Sequence, residues 1–568
     1  MRFPARRTVL LCLLLTLCWS FALAQNAQKQ GTAVITGRVM LGDKGLAGVS
    51  VAVYPETLGR DRSSVARAST DYEGHYRLSN VPAGRWNIVA IAPALVGPIE
   101  GGYGGPGKSI TIAEGETVEK IDFTLARGGV ITGRVTDADG NPVIGARVNL
   151  ESADNNNRRR GSLFFANPYM FETDDRGIYR IYGLPPGRYT VSVGLSPDED
   201  GARFGVSSRG YYVRTFHPNV TDQARATIVE VVEGGEASNV DITLGRKAQS
   251  FVATGRVLDE SGQPVPNVRV GHSVLPKGSN QMQGFGWGSV TDAAGRFRLD
   301  GLIPGRYATF VWNEGESGSY SESVIFEISE GDVSGLELKL RTGASISGVA
   351  VLEGTADKAA LAKLRQLSVG AYSREQAMTA PVTVRAQIAP DGSFNISGLR
   401  PGKFTLYLAT YPPLKGYVLT RVERDGVTQR EIEVTAGAKI TGVRVVIEYG
   451  TGGVRGIVKV ENGELPENMR MVVNARRLAG TVVPGATVIN EVWMGGPRGA
   501  QVDSRGRFLL EGLPPGEYEL TLNVFAVGNT PRRVIPIKKN VSVAEGIESE
   551  VTFTYDANAK QPEDGNND

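Results

Sequence analysis

One phrase occurs five times in this chain: TDYEGHYRLSNVPAGRWNI, DDRGIYRIYGLPPGRYTV, TDAAGRFRLDGLIPGRYAT, APDGSFNISGLRPGKFTL and VDSRGRFLLEGLPPGEYEL. Its first turn closes on Gly74, Gly177, Gly295, Gly392 or Gly506. A second glycine follows 10 residues later in every copy, at Gly84, Gly187, Gly305, Gly402 and Gly516. From copy to copy the interval wanders through 103, 118, 97 and 114 residues. A rigid local unit inside a larger unit of variable length is the signature of a repeated domain with variable loops. A chain of 568 residues built this way must fold as a string of related domains rather than around one core.

The residue types say what the phrase builds. Asp71, Asp174, Asp292 and Asp503 each stand three residues before the first glycine, where a carboxylate can accept bonds from turn amides. Alternating apolar residues follow: Tyr76 and Leu78, Tyr179 and Ile181, Phe297 and Leu299, Phe394 and Ile396, Phe508 and Leu510. That is the period of a strand with one buried face. Pro82, Pro186, Pro304, Pro401 and Pro515 then reverse the chain beside the second glycine, and an aromatic comes two residues after it: Trp86, Tyr189, Tyr307, Phe404 or Tyr518. The phrase predicts two strands of a hairpin, with the recurring aromatic, Trp86 included, in the core.

Each copy is preceded by a short strand with a central glycine: ITGRV at Gly37 and at Gly133, ATGRV at Gly255, ISGVA at Gly348 and VRGIV at Gly456. Each is followed by a closing strand near IDFTL, VDITL, LELKL, VRVVI or VTFTY. About seven short strands per copy predict an all-β chain, a tandem array of five Ig-like or prealbumin-like β-sandwiches. The expected boundaries are 32–127, 128–246, 250–342, 343–450 and 452–556, with a disordered tail over 557–568. Thr355–Leu367, with its early Asp357 and spaced leucines, reads as a short helical insertion in the fourth repeat. The run ITGRVTDADGNPVIGARV…TDDRGIYRIYGLPPGRYTV resembles the carboxypeptidase regulatory-like domain. That resemblance implies a prealbumin-like sandwich, also grouped with carbohydrate-binding-like folds. It is strongest in repeats two and three and weakest in repeat four, where Ala389 replaces the turn aspartate.

The first 24 residues read as a signal peptide: Arg2, Arg6 and Arg7, an apolar run from Val9, then Ala22-Leu23-Ala24 before Gln25. Both cysteines, Cys12 and Cys18, lie inside it, so the mature chain is expected to have neither disulfides nor thiol chemistry. Export without disulfides suits a bacterial periplasm or surface better than an animal secreted protein, and the expected location is secreted or periplasmic. Cleavage removes three arginines and leaves 59 basic against 60 acidic residues. Nucleic acid, which selects a basic excess, is not an expected partner. No later run is long enough for a membrane helix, so no membrane span is expected after signal cleavage.

Chemistry is hard to find. The histidines are His75, His217 and His272, one in each of three repeats, and none begins a zinc-peptidase phrase. No GxSxG phrase sits on a strand-to-helix turn. DADG, at Asp137–Gly140, lacks the remaining ligands of a calcium loop and reads as a turn. GGYGGPG, at Gly101–Gly107, lacks the Lys-Ser/Thr of a phosphate loop. No lysine recurs in the opening strands, so internal isopeptide links are not expected. We expect no catalytic residue, no metal site, no cofactor and no enzyme.

Binding remains. The loops before the phrase differ most between copies, and variable loops on a rigid sandwich are natural binding positions. Aromatics collect there: Tyr169 with Phe164, Phe165 and Phe171 in repeat two, Phe285 and Trp287 in GFGWG, and Trp493 in NEVWMGG. Tyr169, Phe285, Trp287 and Trp493 are the candidate ligand-binding residues, since exposed rings stack on sugar faces. The expected protein is an exported, non-catalytic binding or scaffold protein with polysaccharide or cell-envelope glycan as first ligand. The alternative is a structural or adhesive spacer that recognises another envelope protein.

Overall fold

Alternation decides the strands. In Ile178–Leu184, Tyr179, Ile181 and Leu184 are buried while Ile178 and Arg180 face solvent. The structure, a computed structural model, describes residues 32–56, 63–100, 107–153, 171–196, 210–276, 278–279, 282, 284–312, 318–373, 383–409, 414–465, 469–478, 499–526 and 536–558. Among these residues the strands form ten sheets, two for each of five sandwiches. The first sandwich makes one compact unit; the other four lie in a second.

The third sandwich shows the plan. One sheet runs Arg296–Leu302, Phe251–Leu258, Val333–Thr342 and Ser319–Ser321; the other runs Gly284–Val290, Arg269–Leu275, Gly305–Trp312 and Val324–Ile328. The opening strand Phe251–Leu258 is central, antiparallel to the first strand of the phrase and parallel to the closing strand. Gly129–Thr136, Ala344–Glu353 and Gly452–Glu461 take the same place in their own sandwiches. Side chains from both sheets meet in the core, with Val257, Val270, Leu299, Tyr307 and Leu338 at its centre.

The phrase is not the hairpin its alternation predicted. Its two strands do not pair. Ile178–Leu184 bonds to the opening strand, whereas Gly187–Val193 bonds to Val148–Ser152 in the opposite sheet. The other four copies divide the same way. The phrase is therefore a corner that carries the chain across the sandwich. A left-handed residue near its apex, Asn80, Gly183, Gly301, Gly398 or Gly512, turns the backbone out of the first sheet, and the proline cannot donate to a ladder. The following aromatic closes the corner from inside. Tyr189, Tyr307 and Tyr518 donate to the carbonyls of Pro185, Ile303 and Pro514 at 2.8, 2.8 and 2.9 Å, and the Trp86 indole donates to Pro82 at 2.8 Å. Trp86 departs from the expected core position: the three tyrosines are buried, but the larger indole stays half-buried with its N–H on the turn.

The central glycine of each opening strand has a steric cause. A Cβ on Gly133 would stand 2.1 Å from the Val240 carbonyl oxygen and 2.9 Å from the Tyr179 hydroxyl. On Gly255 it would stand 2.2 Å from the Leu336 oxygen and 2.6 Å from the Phe297 ring. The space is taken because the buried aromatic of the corner lies under the opening strand. Tyr76 and Tyr179 also donate to the carbonyls of Ile121 and Val240, at 2.6 and 2.5 Å.

In the fourth sandwich Lys358–Lys363 is a short helix, its first turn capped by Asp357, which accepts from the Ala359 amide at 2.8 Å. Ala360 and Leu367 are buried in that sandwich's core, and Tyr417 donates to the Ala360 carbonyl at 2.8 Å.

Three substitutions, one of them a control, test this packing. Gly133→Ala is expected to destabilise the second sandwich by about 1–3 kcal/mol or more, read as a lower denaturant midpoint. Gly140→Ala, whose φ is +82° with open space around it, carries only the left-handed backbone penalty and should shift the midpoint less. Tyr179→Phe keeps the ring, as Phe297 does, but strands a buried carbonyl at a cost of about 1–3 kcal/mol; an unchanged midpoint would show that this bond adds nothing.

Candidate functional site

The turn aspartates of the phrase are engaged with their own backbone. Asp174 Oδ1 accepts the amides of Arg176 and Ile178 at 2.9 and 2.7 Å, and Asp71, Asp292 and Asp503 repeat the pattern two and four residues on. These bonds favour the ionised form and hold the Asp174 carboxyl below its ordinary range. Asp137 and Asp259 do the same in the turn after the opening strand. In repeat four, where Ala389 replaces the aspartate, Asp391 accepts from the Ser393 amide and hydroxyl at 2.9 and 2.7 Å.

Two further recurring residues are engaged in the same way. The Thr173 hydroxyl accepts from the Ala146 amide at 2.9 Å and donates to the Val143 carbonyl at 2.5 Å, with Thr70 and Thr291 as counterparts. The arginine of TGRV reaches the aspartate turn: Arg38 and Arg134 donate through Nε to the carbonyls of Glu73 and Arg176 at 2.7 and 3.2 Å. Neither role was legible before the fold, although both residues recur in the sequence. The recurrence marks construction.

Grooves do occur, at equivalent places on the third and fourth sandwiches. The first is lined by Gly255, Asp292, Arg296, Arg298, Gly335 and Glu337; the second by Gly348, Gln387, Asn395, Gly442 and Arg444 among others. They open where the closing strand bulges at a left-handed glycine, Gly335 or Gly442. In the first two sandwiches the bulge residue is Lys120 or Asn239, and Asp122 or Asp241 instead accepts the amide of Arg38 or Arg134 at 2.8 or 2.7 Å. Arg444 is committed to Glu353 and Glu423, at 2.6 and 2.9 Å, in a surface network shared with Arg421. Neither groove is lined by a histidine. Among the described residues, no group of three or more His, Cys, Asp or Glu side chains could hold a metal ion, and no helix is long and apolar enough to cross a membrane.

Of the four aromatics singled out by sequence, Tyr169 and Trp493 lie outside the described residues, and Trp287 is placed by its backbone alone, opposite Gly271. Phe285 is 40% exposed and stacks on Trp312 with ring centroids 5.8 Å apart and planes 19° apart. Trp312 touches Phe310 in turn, at 6.4 Å. Sequence reading missed Trp312. Its signal was its place two residues beyond Phe310 on the strand that also carries the recurring Tyr307.

GFGWG has an inward logic as well. A Cβ on Gly286 would stand 2.7 Å from the His272 ring, so glycine there makes room for a buried imidazole. His272 lies 6.1 Å from Tyr307, its Nδ1 has no hydrogen-bond partner among the described residues, and burial pulls its pKa down to about 4. His75, by contrast, is exposed beside Asp71 and Glu73.

The pH dependence follows. Folded His272 stays neutral down to about pH 4, whereas the unfolded chain takes up its proton near pH 6.5. Stability from this residue is therefore complete above the unfolded value and declines as pH falls toward the folded one. Replacing it by Leu should flatten the fall in third-sandwich stability between about pH 6.5 and pH 4, measured by denaturant titration at several pH values. An equally steep fall in the variant would assign the dependence elsewhere.

A family model described as the carboxypeptidase regulatory-like domain covers residues 130–245 and 253–341. Among curated proteins, the BOS complex subunits NOMO3 and NOMO1 of Homo sapiens are each 27% identical over 199 residues, 35% of this chain. The aligned stretch spans 13% of the length of each of those relatives. Among solved structures, the Bacillus anthracis TIE protein aligns over 90% of this chain and 74% of its own, at 12% identity and a TM-score of 0.15. A Streptococcal ancillary pilin aligns over 57% of this chain and 99% of its own, at 12% identity and a TM-score of 0.19. The chain is thus a tandem β-sandwich protein whose second and third sandwiches, over residues 130–245 and 253–341, are similar to the carboxypeptidase regulatory-like domain.

Proposed function

We propose that this chain is an exported, non-catalytic scaffold whose sandwiches hold variable loops in place for binding. One observation carries the reading: the recurring Asp, Thr and Tyr side chains bond to their own sandwich's backbone, which leaves the non-recurring surface to meet a partner. The proposed ligand is a polysaccharide or cell-envelope glycan. Support comes from the half-open stack of Phe285 on Trp312 in the third sandwich, since an exposed aromatic plane packs against the C–H face of a sugar ring. Trp287, Tyr169 and Trp493 belong to the same proposal as further stacking residues. The five expected boundaries, the cleaved signal over residues 1–24 and a periplasmic or secreted location complete it.

A second reading, a spacer or adhesive that recognises an envelope protein, draws on the same surface. Glycan-array binding by the secreted chain, repeated with Phe285→Ala, Trp312→Ala, Trp287→Ala and Trp493→Ala, separates the two. The glycan reading expects at least one polysaccharide to bind and Phe285→Ala or Trp312→Ala to weaken it about tenfold, the effect of losing one stacking contact of roughly 1.4 kcal/mol. No binding by the parent chain sinks the glycan reading and leaves the protein partner.

A further inference from the structure

The corner does more than cross its own sandwich. In the fifth copy, a Cβ on the apex residue Gly512 would stand 2.7 Å from the backbone nitrogen of Gly416 and 2.9 Å from its Cα, both in the fourth sandwich. A Cβ on Gly450, which leaves the fourth sandwich, would stand 2.2 Å from the Leu513 carbonyl carbon and from the Pro514 nitrogen. Gly450 in turn donates to the Gly416 carbonyl at 2.8 Å, fixing the exit beside the turn before Tyr417–Arg424. Polar contacts flank this backbone-on-backbone seat. Lys415 pairs with Glu511 at 2.9 Å, and Arg477 reaches Glu448 at 2.7 Å and the Pro515 carbonyl at 2.6 Å.

The preceding junction is built alike. Gly343 is the single residue between the closing strand Val333–Thr342 and the opening strand Ala344–Glu353. It donates to the Gly318 carbonyl at 2.8 Å, and a Cβ on it would stand 2.4 Å from the Cα of the apex residue Gly398. Beside it, Arg400 of the fourth sandwich faces Glu322 and Tyr320 of the third and is desolvated there.

Left-handed backbone alone does not demand glycine at the apex. In the first sandwich Asn80 holds the same conformation, with φ of 60° and an exposed side chain. The added requirement at Gly398 and Gly512 is the absence of a side chain where another segment of backbone sits.

We infer that the GLxPG half of the phrase is a docking seat for the exit end of a preceding sandwich of the same kind, and that it sets a fixed angle between sandwiches three and four and between four and five. The seat's partner is backbone, so its specificity is steric: glycine against glycine, with a one- or two-residue link that leaves no slack. This goes beyond the binding role proposed above and holds whether or not the loops take up a glycan.

Pulsed electron–electron resonance on the full chain tests it, with spin labels at Asn395→Cys and Glu550→Cys and with Cys12 and Cys18 replaced by Ala. The parent should give one narrow distance peak, and Gly512→Asn should lose it to a broad distribution. Gly437→Asn, at φ +65° with open space around it, controls for the left-handed backbone and should keep the narrow peak. A broad distribution in the parent, or equal peaks in both Asn variants, overturns the proposal. Should Gly512→Asn not fold, the parent distribution alone decides.

Discussion

Everything in each sandwich rests on one close approach. The opening strand passes directly over a buried aromatic ring and against a carbonyl of the closing strand, with room for a hydrogen but not a methyl group. This contact joins the strand that begins the domain to the strand that ends it, so a local glycine is tied to the longest-range pairing in the fold. The close approach shields the facing carbonyl from water, and in the first two sandwiches the tyrosine hydroxyl satisfies it at Ile121 or Val240.

The corner follows from the same constraint. Once the ring lies under the opening strand, the chain must leave that sheet to bring its next aromatic to the other side of the core. Aspartate, threonine and arginine then lock the loops around the crossing, each to main-chain groups. A phrase repeated this faithfully invites a catalytic reading, yet its side chains are committed to turns. What varies is the periphery: Lys120 and Asn239 at the bulges of the first two sandwiches give way to Gly335 and Gly442, which open grooves in the next two.

Much of this was legible residue by residue. Alternating Tyr179 and Ile181 announced a half-buried strand, Asp174 three residues before Gly177 announced an amide-accepting turn, and the fixed glycine spacing announced a repeated unit. The candidate site was less legible. Phe285 was visible as a loop aromatic, but its stacking partner Trp312 comes from a strand 27 positions further on. Nothing in the sequence marks His272 as buried, because the room for its ring depends on Gly286 standing opposite it in the sheet.

By itself the sequence determined local geometry: where strands run, where they turn and which face is apolar, because these depend on the conformational preferences and periodicity of neighbouring residues. It could not determine which sheet a strand joins. A hairpin and an inter-sheet corner share the same alternation and the same turn residues, and they differ only in backbone partners far along the chain. Tertiary structure made that choice, and with it the meaning of the apex glycine. Gly512 reads as a turn residue in isolation, and its lack of a side chain becomes necessary only when the backbone at Gly416 is placed against it.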